Sequence, residues 1–255
     1  VGGTAGPADP QAGGGNGGSE PAPPPAPAPD LTGTLVPLYS YPTNPAWRMV
    51  IDAKLAHPTV PVVAVINPSN GPGASKNTDF ANGIAALAKA GVRVLGYVST
   101  SYTKRAESLV HADIDTYRSW YPEVSGIFFD EQANTVGNED YYRRVDAYAR
   151  TKGFDFTVGN PGADTAPSYV GTVDMILIYE SSGLPAGNKA NADWHANYDR
   201  HNFGIIPYGV QTLDAAYIAQ VKSKVGYVYV TGDTLPNPWD TVPAYFGDLL
   251  AQLEK

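Results

Sequence analysis

The sequence predicts a (β/α)8 TIM barrel preceded by a Gly/Pro-rich linker, and three observations carry that expectation. Between residues 31 and 255, eight short apolar runs alternate with longer helical patterns, the signature of a parallel sheet with crossover helices. That stretch falls in the size range of such barrels, roughly 200 to over 400 residues. The rival, a doubly wound open sheet with a dinucleotide site, needs Gly-x-Gly-x-x-Gly after its first strand, and the motif is missing there.

Residues 1–30 hold 8 Gly, 8 Pro and 6 Ala and no aromatic residue. Such a segment cannot bury enough apolar surface to order itself. Gly13 to Gly18 reads as flexible, and Pro21 to Pro29 as a stiffer polyproline-like spacer. A tether for an extracytoplasmic domain is one reading, and a free tail is the other. The start at Val1, without an initiator Met, fits a leader removed either in the cell or when the chain was prepared. A secreted or cell-surface location is expected.

The first strand is expected over residues 34–40 and the first helix over 45–56. Strand two, 62–67, runs into the turn-rich Pro68-Ser69-Asn70-Gly71-Pro72-Gly73 before a helix at 78–90. Strand three (92–99) precedes a helix at 114–120, and strand four (127–130) a helix at 139–151. Strand five (154–160) joins strand six (175–180) by a short, ill-defined connection. A polar excursion over 181–202 leads to strand seven (205–208), a helix at 214–224, strand eight (227–231) and a last helix at 242–253.

Composition excludes several functions. A net charge of −8 argues against nucleic acid as a ligand, because phosphate binding needs clustered Lys and Arg. With no Cys there is neither a disulfide nor a thiolate metal site. The four His form no HExxH or HxH pattern, and no Gly-x-Ser-x-Gly elbow or phosphate loop is present. No Lys falls at an expected strand end, which counts against a Schiff-base aldolase. No run approaches the length of a membrane span. A monomer without cofactor or metal is expected.

What remains is concentrated at the strand ends, where barrels of this kind keep their chemistry. These ends present Tyr39, Asn67, Tyr97 and Ser99, Asp130 and Glu131, Asn160, Glu180, Tyr208 and Thr231. Such a succession of hydrogen-bonding groups reads as a polyol-binding floor. Two apolar runs close on acids: Gly126-Ile127-Phe128-Phe129-Asp130-Glu131, and Asp174-Met175-Ile176-Leu177-Ile178-Tyr179-Glu180. Burying an unpaired carboxylate is costly, so acids seldom finish an apolar strand unless they reach an opening or a partner. Paired acids across one cleft are the equipment for cutting a glycosidic bond. Side chains alternate along a strand, so Asp130 and Glu131 diverge unless the strand has already ended. Trp47, Trp120, Trp194 and Trp239 are candidate sugar-stacking platforms. Trp194, in the polar loop after Glu180, is favoured, and Tyr102 is a further rim candidate.

Several of these motifs occur together in a known family. Val36-Pro37-Leu38-Tyr39, Ile66-Asn67-Pro68 with Gly71-Pro72-Gly73, Gly96-Tyr97-Val98 with Thr100 and Tyr102, the Phe-Phe-Asp-Glu run and Asn160-Pro161-Gly162 follow one another in order. The set resembles the spherulin-4-like proteins, glycoside hydrolase family 135, over roughly residues 34–231. The resemblance implies a (β/α)8 barrel and an endo-acting hydrolase of α-1,4-linked N-acetylgalactosamine in galactosaminogalactan-type exopolysaccharide. It maps the family's acidic pair onto Asp130 and Glu131 and its later glutamate onto Glu180. On this reading Asp130 is the nucleophile of a retaining enzyme, Glu180 the general acid/base and Glu131 a supporting acid. The competing expectation is a non-catalytic carbohydrate-binding or wall-associated barrel whose acids hold polysaccharide amines.

Overall fold

A computed structural model describes residues 30–186 and 193–255. The linker expected over residues 1–30 lies outside these except for Asp30. Eight strands form one all-parallel sheet in sequential order: β1 (Thr34–Leu38), β2 (Val62–Ile66), β3 (Arg93–Ser99), β4 (Gly126–Asp130), β5 (Phe156–Asn160), β6 (Met175–Tyr179), β7 (Phe203–Ile205) and β8 (Tyr227–Val228). The sheet closes through Gly33, whose N–H donates to Gly226 O (2.8 Å) and whose carbonyl accepts from Val228 N (3.0 Å). A Cβ on Gly33 would lie 2.7 Å from Pro61 O and 2.9 Å from the Tyr227 ring, so only glycine fits this seam.

Among the described residues six α-helices wrap the barrel: α1 (Pro45–Ala56), α2 (Thr78–Lys89), α3 (Glu107–Trp120), α4 (Glu139–Thr151), α5 (Ala215–Val221) and α6 (Phe246–Leu253). Their starts are written in the sequence. Asn44 accepts from Ala46 N, Asn77 from Asp79 N and Phe80 N, and Asp214 from Tyr217 N. Each such cap contributes about 1 kcal/mol. Because helices cover the outer face and side chains fill the inner one, every residue of β1 and β2 is buried.

α3, α6 and β7 differ from expectation, α6 starting at Phe246 and not at residue 242. α3 begins at Glu107, two turns before residue 114, because its buried stripe of Val110, Ile114 and Tyr117 supplies only one apolar residue per turn. In the connections β5–β6 and β6–β7, the described residues carry only 3-10 turns, at Pro167–Tyr169, Asp193–Asn197 and Arg200–Asn202. β7 starts at Phe203, two residues early. Past Ile205 the chain still runs beside β6, with Ile206 N donating to Tyr179 O and Tyr208 N to Ser181 O around a register shift. Among the described residues no helix is long and apolar enough to cross a membrane.

Candidate active site

Register delivers the site. Ser99 of β3 lies opposite Asp130 of β4, and Asp130 opposite Asn160 of β5, so three polar side chains end adjacent strands at one level. Tyr97 sits two residues lower, beside Phe128. Its hydroxyl reaches up and donates to Asp130 Oδ2 at 2.8 Å. Tyr39, from the end of β1, meets the Tyr97 ring edge-on at 5.7 Å.

Asn160 is the joint between the two acids. Its Nδ2 donates to Asp130 Oδ1 (2.8 Å) and to Glu180 Oε2 (2.7 Å). The amide orientation is not arbitrary, because Gly162 N donates to Asn160 Oδ1 at 3.0 Å, which turns the NH2 toward the carboxylates. Two bonds from one nitrogen hold those two acid oxygens no more than about 5.5 Å apart. Glu180 follows β6 directly, with its N–H on Gly162 O (3.2 Å).

Glu131 belongs to a second cluster. β4 ends at Asp130, and Glu131 adopts a left-handed backbone (φ 53°). The turn swings its carboxylate toward β3, where Oε2 accepts from the Ser99 hydroxyl and from Ser101 Oγ at 3.2 Å. Ser101, Tyr102 and Thr103 are left-handed too, with φ of 47°, 54° and 71°. Such residues cost of order 1–3 kcal/mol each and persist only where surrounding bonds enforce them. The bonds are present here: Tyr102 N to Glu131 O (2.8 Å), and buried Thr100 Oγ1 to the carbonyls of Asp130 and Glu131 (2.9 Å each). Tyr102 is left exposed at the rim.

The electrostatics treat the two acids alike. Burial raises the pKa of both Asp130 and Glu180 above the ordinary carboxylate range. Against that, the Tyr97 hydroxyl, the Glu131 backbone N–H and the Asn160 amide favour the charged form of Asp130, while the Glu131 charge raises it further. Asn160 and the Trp239 indole favour the charged form of Glu180, and the nearby Asp130 charge pushes it further up. Burial also raises the Tyr97 and Tyr39 phenols, so both stay protonated donors. No ion pair among the described residues includes Asp130, Glu131 or Glu180. Among the described residues, no group of three acids or histidines is placed to hold a metal ion.

The remaining candidates divide. Tyr208, partly buried, meets the Trp239 ring edge-on at 6.1 Å and so lies beside the Glu180 donor. Asn67 Oδ1 accepts from Gly71 N at 2.9 Å and shapes the β2–α2 loop. Thr231 is fully buried, and its hydroxyl accepts from Asp233 N, so it braces a turn away from any opening. Trp194 packs on His195, Tyr198 and Phe203, and those contacts tie it to the β6–β7 connection. Trp239, 7% exposed, is the tryptophan that reaches an acid, as a hydrogen-bond donor and not as a stacking face. Ser101 was passed over, although its place one residue past Thr100 in a polar run was a usable signal.

Fold and site together define a glycoside hydrolase-like barrel. A family model, spherulation-specific family 4 (Spherulin4), matches residues 33–253. The chain belongs to that family. Spherulin-4 of Physarum polycephalum is 39% identical over 162 residues, 63% of this chain and 48% of that protein, so the match spans about half of the relative's length. The crystal structure of Aspergillus clavatus Sph3 in complex with GalNAc superposes with a TM-score of 0.79 at 26% identity, covering 88% of this chain and 98% of that one. An endo-β-N-acetylglucosaminidase from Cordyceps militaris shares the fold, with a TM-score of 0.55 at 12% identity over 88% of this chain and 90% of its own.

Proposed function

We propose that the protein is a secreted or cell-surface retaining endo-glycosidase acting on α-1,4-linked N-acetylgalactosamine or galactosamine polymers. The observation that supports this reading is the shared Asn160 amide, which donates to both Asp130 and Glu180 and so keeps the two acids close together, as a paired-carboxylate mechanism needs. The substrate class follows from the GalNAc bound to the related Sph3.

The chemistry needs one carboxylate and one carboxylic acid at the same pH. In this reading Asp130 is the carboxylate that attacks the anomeric carbon, forming a glycosyl ester. Glu180 is the carboxylic acid that gives its proton to the departing glycosidic oxygen. Glu180 then takes a proton from water, which cleaves the ester and restores both groups. An α-linked 2-acetamido sugar carries its acetamido group on the same side as the leaving group. The substrate therefore cannot supply the nucleophile from behind, and the protein must. Glu131, held by Ser99 and Ser101, presents its other oxygen to the substrate as a hydrogen-bond acceptor. Tyr39, Asn67, Tyr208 and Tyr102 extend the cleft.

Reducing-end release from an α-1,4-GalNAc polymer tests the reading. Wild type should release ends, while folded Asp130→Asn and Glu180→Gln should not. Binding that merely weakens in these variants, with no turnover by wild type, would select a carbohydrate-binding barrel instead.

A further inference from the structure

Outside the acid cluster, a cavity of about 340 Å³ opens between the β2–α2 loop and α3, lined by Ser69 to Ala74, Arg105 and Asp113. Its size is within the ~300–1,000 Å³ of small-ligand pockets. Arg105 Nη1 makes an ion pair with Asp113 Oδ2 at 2.7 Å. The same nitrogen donates to Ser99 O at 3.0 Å. Ser99 in turn donates to Glu131, so Ser99 links Arg105 of the cavity wall to the acid cluster.

The facing loop is built open and stiff. Asn67 Oδ1 holds Gly71 N, Ser69 N bonds to Gly71 O (3.1 Å), and Asn70 is left-handed (φ 49°). At Gly71 (φ 138°) any side chain would be strained, and a Cβ would come within 3.4 Å of Asp113 Oδ2. Glycine thus leaves room beside the Arg105–Asp113 pair, whose side chains stay partly exposed although Oδ2 itself is buried.

The chemistry of the walls selects the ligand. Because Asp113 neutralises Arg105, the cavity does not favour a free anion. A guanidinium beside a carboxylate offers donors and acceptors together, which suits neighbouring sugar hydroxyls. We propose that this cavity is a distal saccharide subsite, taking an uncharged pyranose unit of the polymer away from the cleaved bond. The proposal rests on the glycosidase reading and names where a longer chain gains affinity.

The test compares kcat/KM on α-1,4-GalNAc trisaccharide and heptasaccharide for wild type, Ala74→Trp, which narrows the cavity, and Asp113→Asn. Thermal melts confirm folding of each variant. On the heptasaccharide the variants should lose about tenfold, mainly through KM, as expected for a lost hydrogen bond to a charged group. On the trisaccharide they should lose far less. Unchanged or equal losses at both lengths overturn the subsite and leave the glycosidase standing. Cleavage of neither oligosaccharide by wild type refutes the glycosidase, and the subsite with it. Inhibition of heptasaccharide cleavage by inorganic phosphate, relieved in Arg105→Gln, overturns the sugar assignment in favour of an anion site.

Discussion

At the end of the barrel where strands begin, acids are met by cations or by dedicated donors. Asp146 and Asp174 share Arg150, Asp155 takes Arg93, and Glu254 bonds to His57 and Thr59. At the other end, Asp130, Glu131 and Glu180 are met only by neutral donors, from Tyr97, Asn160, Ser99 and Ser101. Thr59 and His57 hold Glu254 below the ordinary carboxylate range, while burial lifts Asp130 and Glu180 above it. Salt bridges at the first end fasten helices to strands. Leaving Asp130, Glu131 and Glu180 without a cation costs stability, and burial then favours the protonated form of Asp130 and Glu180.

The largest expected effect breaks the second end outright. Glu180→Gln should lower kcat by about 10²–10⁴-fold, the usual share of general acid–base catalysis. Asp130→Asn should lower it at least as much, and either loss is read by reducing-end release. Cutting the joint comes next. Asn160→Ala removes a donor that both ionised acids use, at about 1.5–3 kcal/mol for a bond to a charged group. Its kcat/KM should fall by about 10–100-fold, and the acidic limb of its pH profile should move to higher pH. Tyr97→Phe removes one donor to Asp130 alone, so the same limb should move up less, with about a tenfold loss.

Stability separates the two ends more gently. A carboxyl whose folded pKa is raised gives stability that is full at low pH and is lost as pH rises through that pKa. Glu180→Gln should therefore melt higher than wild type near neutrality, by about 0.5–2 kcal/mol, with the gap closing toward pH 4. Glu254 has the opposite sign: its contribution is present above the unfolded pKa and lost on acidification. Glu254→Gln should melt lower at neutral pH, and the difference should vanish in acid. Melting curves for both variants across that pH range would check the pair.

The same contrast explains what the sequence revealed. Asp130 and Glu180 stood out because each closes an apolar run, and a parallel barrel sends all such ends to one mouth. Helices α1 and α4 were legible to the residue, from Pro45 behind Asn44 and from a clear apolar stripe in Glu139–Thr151. Glu131 stood out beside Asp130 as an acid expected to diverge, but its left-handed turn was not legible, because bonds to Thr100 and Tyr102, about 30 residues away in sequence, enforce it. The surroundings of two further candidates were hidden for a related reason: the path of the β6–β7 connection sets Trp194 against Phe203, and β8 stops at Val228, so Thr231 lies fully buried beyond it.

The central claim is that Asp130, and not its neighbour Glu131, faces the anomeric carbon with Glu180 behind the leaving group. An activated GalNAc mechanism-based probe that stalls at the glycosyl ester, followed by peptide mass mapping, reads this directly. The account predicts a single hexosamine adduct on Asp130 in the Gly126–Asp130 region of the chain. An adduct on Glu131 or Glu180, or an inverted product with no adduct at all, would contradict it.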